Sequence, residues 1–253
     1  MSFRNSRAYA RLVRFSVSSI ARITGREWHL THYRAKWVAN RVFHFPVDLV
    51  ESCLPPEKQK ALLDCVERVR DVDGDIVECG VYRAGGTLLM ADALRAAGSP
   101  KRILAFDSFE GMPDATEHDA MSDGKVVYEA GVLSTTSLEL VTEKIRRFGH
   151  ANRVSFYKGY FEQTLPAAIL PGQRISMALI DCDQYSGTKF SLEHLYDKVS
   201  PGGMLLFDDY DAPVGLDTPG VKVAVTEFLH GKPEEGKVAR LGGSLYGVQK
   251  SAS

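Results

Sequence analysis

The sequence is poor in cysteine and has no long apolar run, and both shortages exclude classes of protein. Its 253 residues include four cysteines, none in a CxxC pair, so neither a zinc ribbon nor a redox dithiol is predicted. Reduced thiols are typical of a cytoplasmic protein. No stretch reaches the roughly 18 apolar residues of a spanning helix, so we expect no membrane span and no secretory signal.

The net charge is also small, but the charge is unevenly distributed. A formal total of -1 argues against nucleic acid as a partner. Residues 1–41 nevertheless carry nine basic residues and one acidic residue, and an apolar stripe at helical spacing. We interpret residues 1–60 as a basic helical extension. It could pack on the body or on a second subunit, contact a membrane surface, or serve as a transit peptide.

The rest of the chain alternates short apolar runs with helical patterns. Strands are predicted at 75–79, 102–106, 153–158, 175–180 and 204–207, and helices at 61–70, 85–97, 137–148, 161–170, 188–198 and 219–230. This alternation predicts an α/β fold with a mostly parallel sheet covered on both faces. Segments 238–241 and 245–249 flank a Gly-Gly turn and predict a hairpin with an antiparallel strand.

Ligands bind such sheets at the carboxyl ends of the strands. The first strand leads through Glu78 into a loop containing Gly80, Gly85 and Gly86, followed by a helix start with free N–H groups. Asp107 lies 21 positions after Gly86, about the spacing at which an acid binds ribose hydroxyls. A dinucleotide and S-adenosylmethionine both suit this pattern. A carboxylate at Glu78 would repel a pyrophosphate, which favours S-adenosylmethionine.

Four aspartates follow two other strands. Asp181 and Asp183 come after the strand 175–180, and Asp208 and Asp209 after the strand 204–207. Clustered carboxylates repel one another unless a cation neutralises them, so a hard divalent ion such as Mg²⁺ is predicted here. Three of them could hold the ion and leave positions open for substrate oxygens, and Asp183 suits the part of general base.

These segments resemble the macrocin O-methyltransferase family over residues 70–230. Five motifs occur in the same order, at 78–83, 107–113, 159–166, 181–185 and 200–210. The resemblance implies a class I methyltransferase domain at 61–253, with a Rossmann-like seven-stranded sheet whose last strand is antiparallel. It also implies magnesium-dependent transfer of a methyl group from S-adenosylmethionine to a hydroxyl of a sugar or related natural product, as in antibiotic biosynthesis.

The resemblance also assigns roles to individual residues. It implies Asp183 as the base and three metal ligands, namely Asp181, Asp208 and Asp209. The residues implied at the cofactor are Glu78, Gly80, Gly85, Asp107, Ser108, Phe109, Ser137 and Asp181. The chain departs from the family pattern at Ala84 and Cys182, where Gly is usual, and at Gln184, where Met or Ser is more common. The lid at 114–136 is individual, which leaves the acceptor open. Family members imply a homodimer or homotetramer in the cytoplasm.

Three other functions compete with this interpretation. A catechol-type O-methyltransferase uses a similar acid cluster, a non-catalytic binding protein could keep the same fold, and a nicotinamide dehydrogenase could use the same glycine loop. Three further side chains are candidates for the acceptor pocket or for proton transfer: His118 in the lid, Tyr185 and Tyr210.

Overall fold

The computed structural model describes residues 54–211 and 219–251, so most of the predicted basic extension lies outside the described residues. The helices are α1 (Pro56–Arg68), α2 (Gly85–Ala96), α3 (Leu138–Arg147), α4 (Phe161–Ala168), α5 (Tyr185–Leu195) and α6 (Pro219–Leu229). The strands are β1 (Asp75–Cys79), β2 (Ile103–Asp107), β3 (Val154–Lys158), β4 (Ile175–Ile180), β5 (Val199–Phe207), β6 (Ala239–Gly242) and β7 (Leu245–Gln249).

The strands form one seven-stranded sheet in the order β3-β2-β1-β4-β5-β7-β6. Strands β1 to β5 pair in parallel, and β7 runs antiparallel to both β5 and β6. The predicted α/β sheet with an antiparallel last strand is confirmed. All parallel strands end at one edge, which brings the loops after β1, β2, β4 and β5 together.

Apolar side chains cover both faces of the sheet. One core joins α1, α2 and α3 to residues such as Ile76 and Met177, and the other joins α5 and α6 to residues such as Val77 and Ile180. Strand β4 is buried along its whole length, as its continuous apolar run predicts. No described helix combines the length and hydrophobicity needed to cross a membrane.

Two boundaries differ from the predicted ones in ways that matter for the site. Helix α1 begins at Pro56, since proline suits the first position of a helix, and it crosses the predicted limit of the extension at residue 60. Strand β5 begins at Val199 rather than at 204. The Pro-Gly-Gly sequence resembles a turn, but Gly202 and Gly203 form backbone hydrogen bonds with Lys250 and so belong to the strand.

Candidate active site

The loops at the carboxyl edge of the sheet hold an unusual number of residues in left-handed backbone conformation. Tyr82, Phe109, Asp183 and Asp209 have φ angles of 47°, 52°, 58° and 51°. Such a residue other than glycine costs roughly 1–3 kcal/mol and persists where the surroundings impose it. The strain therefore collects in the loops that follow β1, β2, β4 and β5, where the sequence predicts function.

The four predicted aspartates come together at this edge. Burial raises the pKa of Asp181 and Asp183 well above the ordinary range, and the charges of the neighbouring aspartates raise both further. Burial and Asp209 also raise the pKa of Asp208. Asp183 shares a hydrogen bond with Asp209, which acts to raise the pKa of Asp183 and to lower that of Asp209. The site is therefore short of positive charge.

A lysine that the sequence did not single out lies among these acids. The Nζ atom of Lys58, on α1, is 2.7 Å from Oδ1 of Asp208 and donates a hydrogen bond to its Oδ2 at 2.8 Å. The same ammonium lies 2.9 Å from Oδ1 of Asp209, which also accepts a bond from Ser244 at 2.7 Å. Although burial acts to raise the pKa of Asp209, Lys58 and Ser244 bring it below its ordinary value.

The acid cluster suits a hard cation by its chemistry rather than by its present geometry. All of its potential ligands are carboxylate oxygens, and the only described partner of Oδ1 of the buried Asp208 is the Lys58 ammonium. Across residues 54–211 and 219–251, however, no three His, Cys, Asp or Glu side chains converge as a metal site. Lys58 instead pairs with Asp208 and Asp209.

A cleft beside the acids is lined by the loops after β1, β2 and β4. The space within it, open solvent included, is about 750 Å³. Its lining includes five predicted site residues, namely Gly80, Asp107, Ser108, Asp181 and Asp183. The acid cluster and the predicted cofactor site therefore share a wall.

Asp107 joins two of these loops. Its Oδ2 accepts hydrogen bonds from the backbone N–H groups of Val81 and Tyr82, both at 2.8 Å, and its Oδ1 accepts one from Phe109 at 2.7 Å. These bonds fix the glycine loop against the end of β2. Asp107 keeps further acceptor capacity and is one of the residues that line the cleft.

Four other predicted cofactor residues make contacts that stabilise the fold around the cleft. Gly85 is the buried first residue of α2, and Ser137 caps α3 by accepting a hydrogen bond from Leu140 at 3.3 Å. Phe109 packs edge-on against Phe156, with ring centroids 6.3 Å apart. Glu78, the fourth, lies beneath α2 and receives a 2.5 Å hydrogen bond from the Thr87 hydroxyl.

Glu78 is uncharged for most of its population at neutral pH. Complete burial raises its pKa to about 8, with the hydrogen bonds of Thr87 opposing the shift. The repulsion of a pyrophosphate by Glu78, on which the sequence argument for S-adenosylmethionine depended, is therefore weak. That choice of cofactor has to be supported by other observations.

We expect Glu78→Gln to remove a pH dependence of stability. Between about pH 4.5 and 8 folded Glu78 binds a proton that the unfolded chain has released, so the stability of the unaltered protein falls as pH rises. The loss relative to Glu78→Gln should approach about 1.4 kcal/mol per pH unit and sum to a few kcal/mol. Urea unfolding at pH 5, 6, 7 and 8 measures it, with the exposed Glu67→Gln as control. Parallel curves for Glu78→Gln and the unaltered protein would contradict the burial argument.

The predicted lid is bound to the start of α5. Gln184, which is buried, donates to the carbonyl oxygens of Tyr128 at 2.9 Å and Pro113 at 3.2 Å. The buried carboxylate of Asp119 accepts the Tyr185 N–H at 2.7 Å. These bonds explain why position 184 carries an amide in this chain.

The lid also brings side chains to the acids. Burial and the negative charges of Asp183 and Asp209 raise the pKa of the Tyr128 phenol, so Tyr128 faces the cluster, although the sequence offered no signal for it. His118 packs on the ring of Tyr185, with centroids 4.1 Å apart. The Tyr185 hydroxyl donates a hydrogen bond at 2.7 Å to Glu227 on α6.

The strand order, the glycine loop and the acids at the carboxyl edge together define a class I methyltransferase fold. The chain matches the family described as Macrocin-O-methyltransferase (TylF) over residues 48–246. It belongs to this family of S-adenosylmethionine-dependent O-methyltransferases, and the predicted relationship is confirmed.

Named relatives are similar over part of their length. The chain is 40% identical over 152 residues to 8-demethyl-8-(2,3-dimethoxy-alpha-L-rhamnosyl)-tetracenomycin-C 4'-O-methyltransferase of Streptomyces olivaceus, covering 58% of this chain and 57% of that one. It is 36% identical over 159 residues to Mycinamicin III 3''-O-methyltransferase of Micromonospora griseorubida, covering 60% and 62%. The solved O-methyltransferase NovP aligns with a TM-score of 0.70 at 26% identity, covering 96% of this chain and all of NovP.

Proposed function

We propose that the chain transfers a methyl group from S-adenosylmethionine to a hydroxyl of a sugar within a natural product. The observation that carries the proposal is the position of Asp181 between two sites. It lines the cleft beside Gly80, and it belongs to the acid cluster. A methyl donor in the cleft and an acceptor at the acids would then be neighbours, as direct transfer requires.

We further propose Mg²⁺ as the cation of the cluster, held by Asp181, Asp208 and Asp209. The support is the all-oxygen donor set and the raised pKa values of Asp181 and Asp208, which a further cation would lower. When bound, Mg²⁺ supplies positive charge that lowers the pKa of carboxyl groups and of an acceptor hydroxyl near it.

Asp183 is the proposed general base. Its left-handed backbone follows β4 and directs its carboxyl into the cluster, next to Asp209. In the transfer the acceptor oxygen bonds to the methyl carbon, the carbon–sulfur bond breaks to leave S-adenosylhomocysteine, and the acceptor proton passes to Asp183. A raised pKa makes the ionised Asp183 a stronger base than an exposed carboxylate, and the positive charge of a bound Mg²⁺ would keep it ionised.

The acceptor class rests on the relatives. The relative from Streptomyces olivaceus is named for a rhamnosyl tetracenomycin, and the one from Micromonospora griseorubida for mycinamicin III. A sugar hydroxyl is therefore favoured over a catechol. A cytoplasmic location, assembly as a homodimer or homotetramer and contact of Ser108 or Ser137 with the cofactor are further proposals.

A transfer assay with labelled S-adenosylmethionine tests this function. The protein is incubated with rhamnosides and with catechols, each with 5 mM MgCl₂ and with excess EDTA, at about 0.1 mM acceptor. We expect methylated rhamnoside only where Mg²⁺ is present. Transfer to catechols alone would replace the acceptor class, and full activity in EDTA would refute the metal. Binding of NAD but not S-adenosylhomocysteine in calorimetry would refute the reaction itself.

A further inference from the structure

Lys58 reaches the acid cluster from outside the sheet. Its helix α1 lies over the turn between β6 and β7, where a Cβ atom added to Gly243 would lie 3.1 Å from Lys58 Cγ. The side chain therefore packs closely against this turn on its way to the acids. Its own side chain is only 10% exposed. A lysine held in this way is part of the site and not a solvated surface charge.

Lys58 brings one positive charge to a cluster of four carboxyl groups. Its Nζ atom pairs directly with Asp208 and Asp209, whose side chains are only 5% and 21% exposed. The lysine therefore neutralises part of the negative charge that collects at this edge of the sheet.

The oxygens that Lys58 engages are also those needed by a metal. Both oxygens of Asp208 and Oδ1 of Asp209 lie within 2.9 Å of its Nζ atom. A divalent cation at this distance from an ammonium would meet strong like-charge repulsion. Because both cations draw on the same oxygens and repel each other, each lowers the affinity of the site for the other.

We propose that Lys58 is a built-in counter-ion of the acid cluster that competes with the divalent cation for Asp208 and Asp209. The proposal rests on the metal site put forward under the proposed function. Lys58 holds the two carboxylates in place and weakens the affinity of the site for metal. The competition connects the position of α1 to the state of the active site.

Metal titration and thermal unfolding of the whole chain test this competition. Lys58→Met removes the charge and keeps most of the side-chain volume, Lys58→Arg keeps the charge, and Lys60→Met changes an exposed lysine on the same helix. Mn²⁺ binding is followed by electron paramagnetic resonance of the free ion. Melting is followed by circular dichroism in EDTA and in 10 mM MgCl₂.

We expect Lys58→Met to bind Mn²⁺ at least about 10-fold more tightly than the unaltered protein, since one repelling charge is gone. In EDTA its melting temperature should fall by about 10 °C, because the buried carboxylates lose their counter-ion, and MgCl₂ should restore most of that loss. Lys58→Arg should melt close to the unaltered protein, and Lys60→Met should match it in both measurements.

Unchanged or weaker Mn²⁺ binding by Lys58→Met would overturn the competition, since Lys58 would then be neutral toward the metal or would support it. Absence of Mn²⁺ binding in this variant would refute it too. Neither result decides whether methyl transfer occurs, because the transfer assay with rhamnosides tests that reaction separately.

Discussion

Asp183→Asn is expected to lower kcat for methyl transfer by about 10²–10⁴-fold, because the amide cannot accept the acceptor's proton. The substitution keeps the size of the side chain and its ability to hydrogen-bond to Asp209. The fold should therefore persist. Affinity for S-adenosylhomocysteine should stay within about twofold, which calorimetry measures.

The control for this prediction is Asp71→Asn, at a side chain that is 88% exposed and 3.5 Å from Arg70. It should leave kcat unchanged. Activity of Asp183→Asn within threefold of that control would remove Asp183 from proton transfer. A parallel loss of cofactor affinity would instead assign Asp183 to the organisation of the cleft.

Gly80→Ala is expected to abolish binding of the cofactor and to destabilise the fold by roughly 3–5 kcal/mol. Gly80 has a φ of +94°, and a Cβ atom there would lie 1.8 Å from the carbonyl oxygen of Asp181. Backbone cannot move aside as a flexible side chain can. The substitution would therefore push the glycine loop away from β4 and open the cleft wall.

Gly98→Ala provides the matched control. Gly98 also has positive φ, +64°, but a Cβ atom there meets nothing within 4 Å. Only the left-handed conformation then opposes alanine, at about 1–2 kcal/mol. Urea unfolding and calorimetry with S-adenosylhomocysteine compare the two variants. Equal stability and equal binding would show that the close approach of Gly80 to Asp181 has no energetic consequence.

The sequence correctly predicted the features that follow from the order and burial of the strands. Because parallel strands deliver their following residues to one edge, the alternation of strands and helices placed Asp107, Asp181 and Asp208 close together without any knowledge of contacts. The continuous apolar run of β4 likewise predicted its burial on both sides. The predicted helices and strands are present in the structure, and their boundaries differ from the predicted ones by a few residues.

Contacts made across long stretches of chain were not predictable in the same way. Lys58 and Asp208 are 150 positions apart, and the Pro55-Pro56 pair before Lys58 resembled a break between regions rather than the start of a helix. Tyr128 belongs to a lid without periodic pattern. Charge states could not be predicted from the sequence either. The pKa of Glu78 is raised by its burial beneath α2, and that burial is known only from the structure.

The hairpin of β6 and β7 has a consequence for the order in which the molecule is synthesised. Strand β5 and its aspartates leave the ribosome before residues 239–249, yet β7 covers the edge of β5 and Ser244 donates to Asp209. Until the hairpin pairs, β5 remains an open edge, and such edges promote association between chains. A nascent chain released before residue 249 would therefore be both incomplete at Asp209 and prone to aggregate.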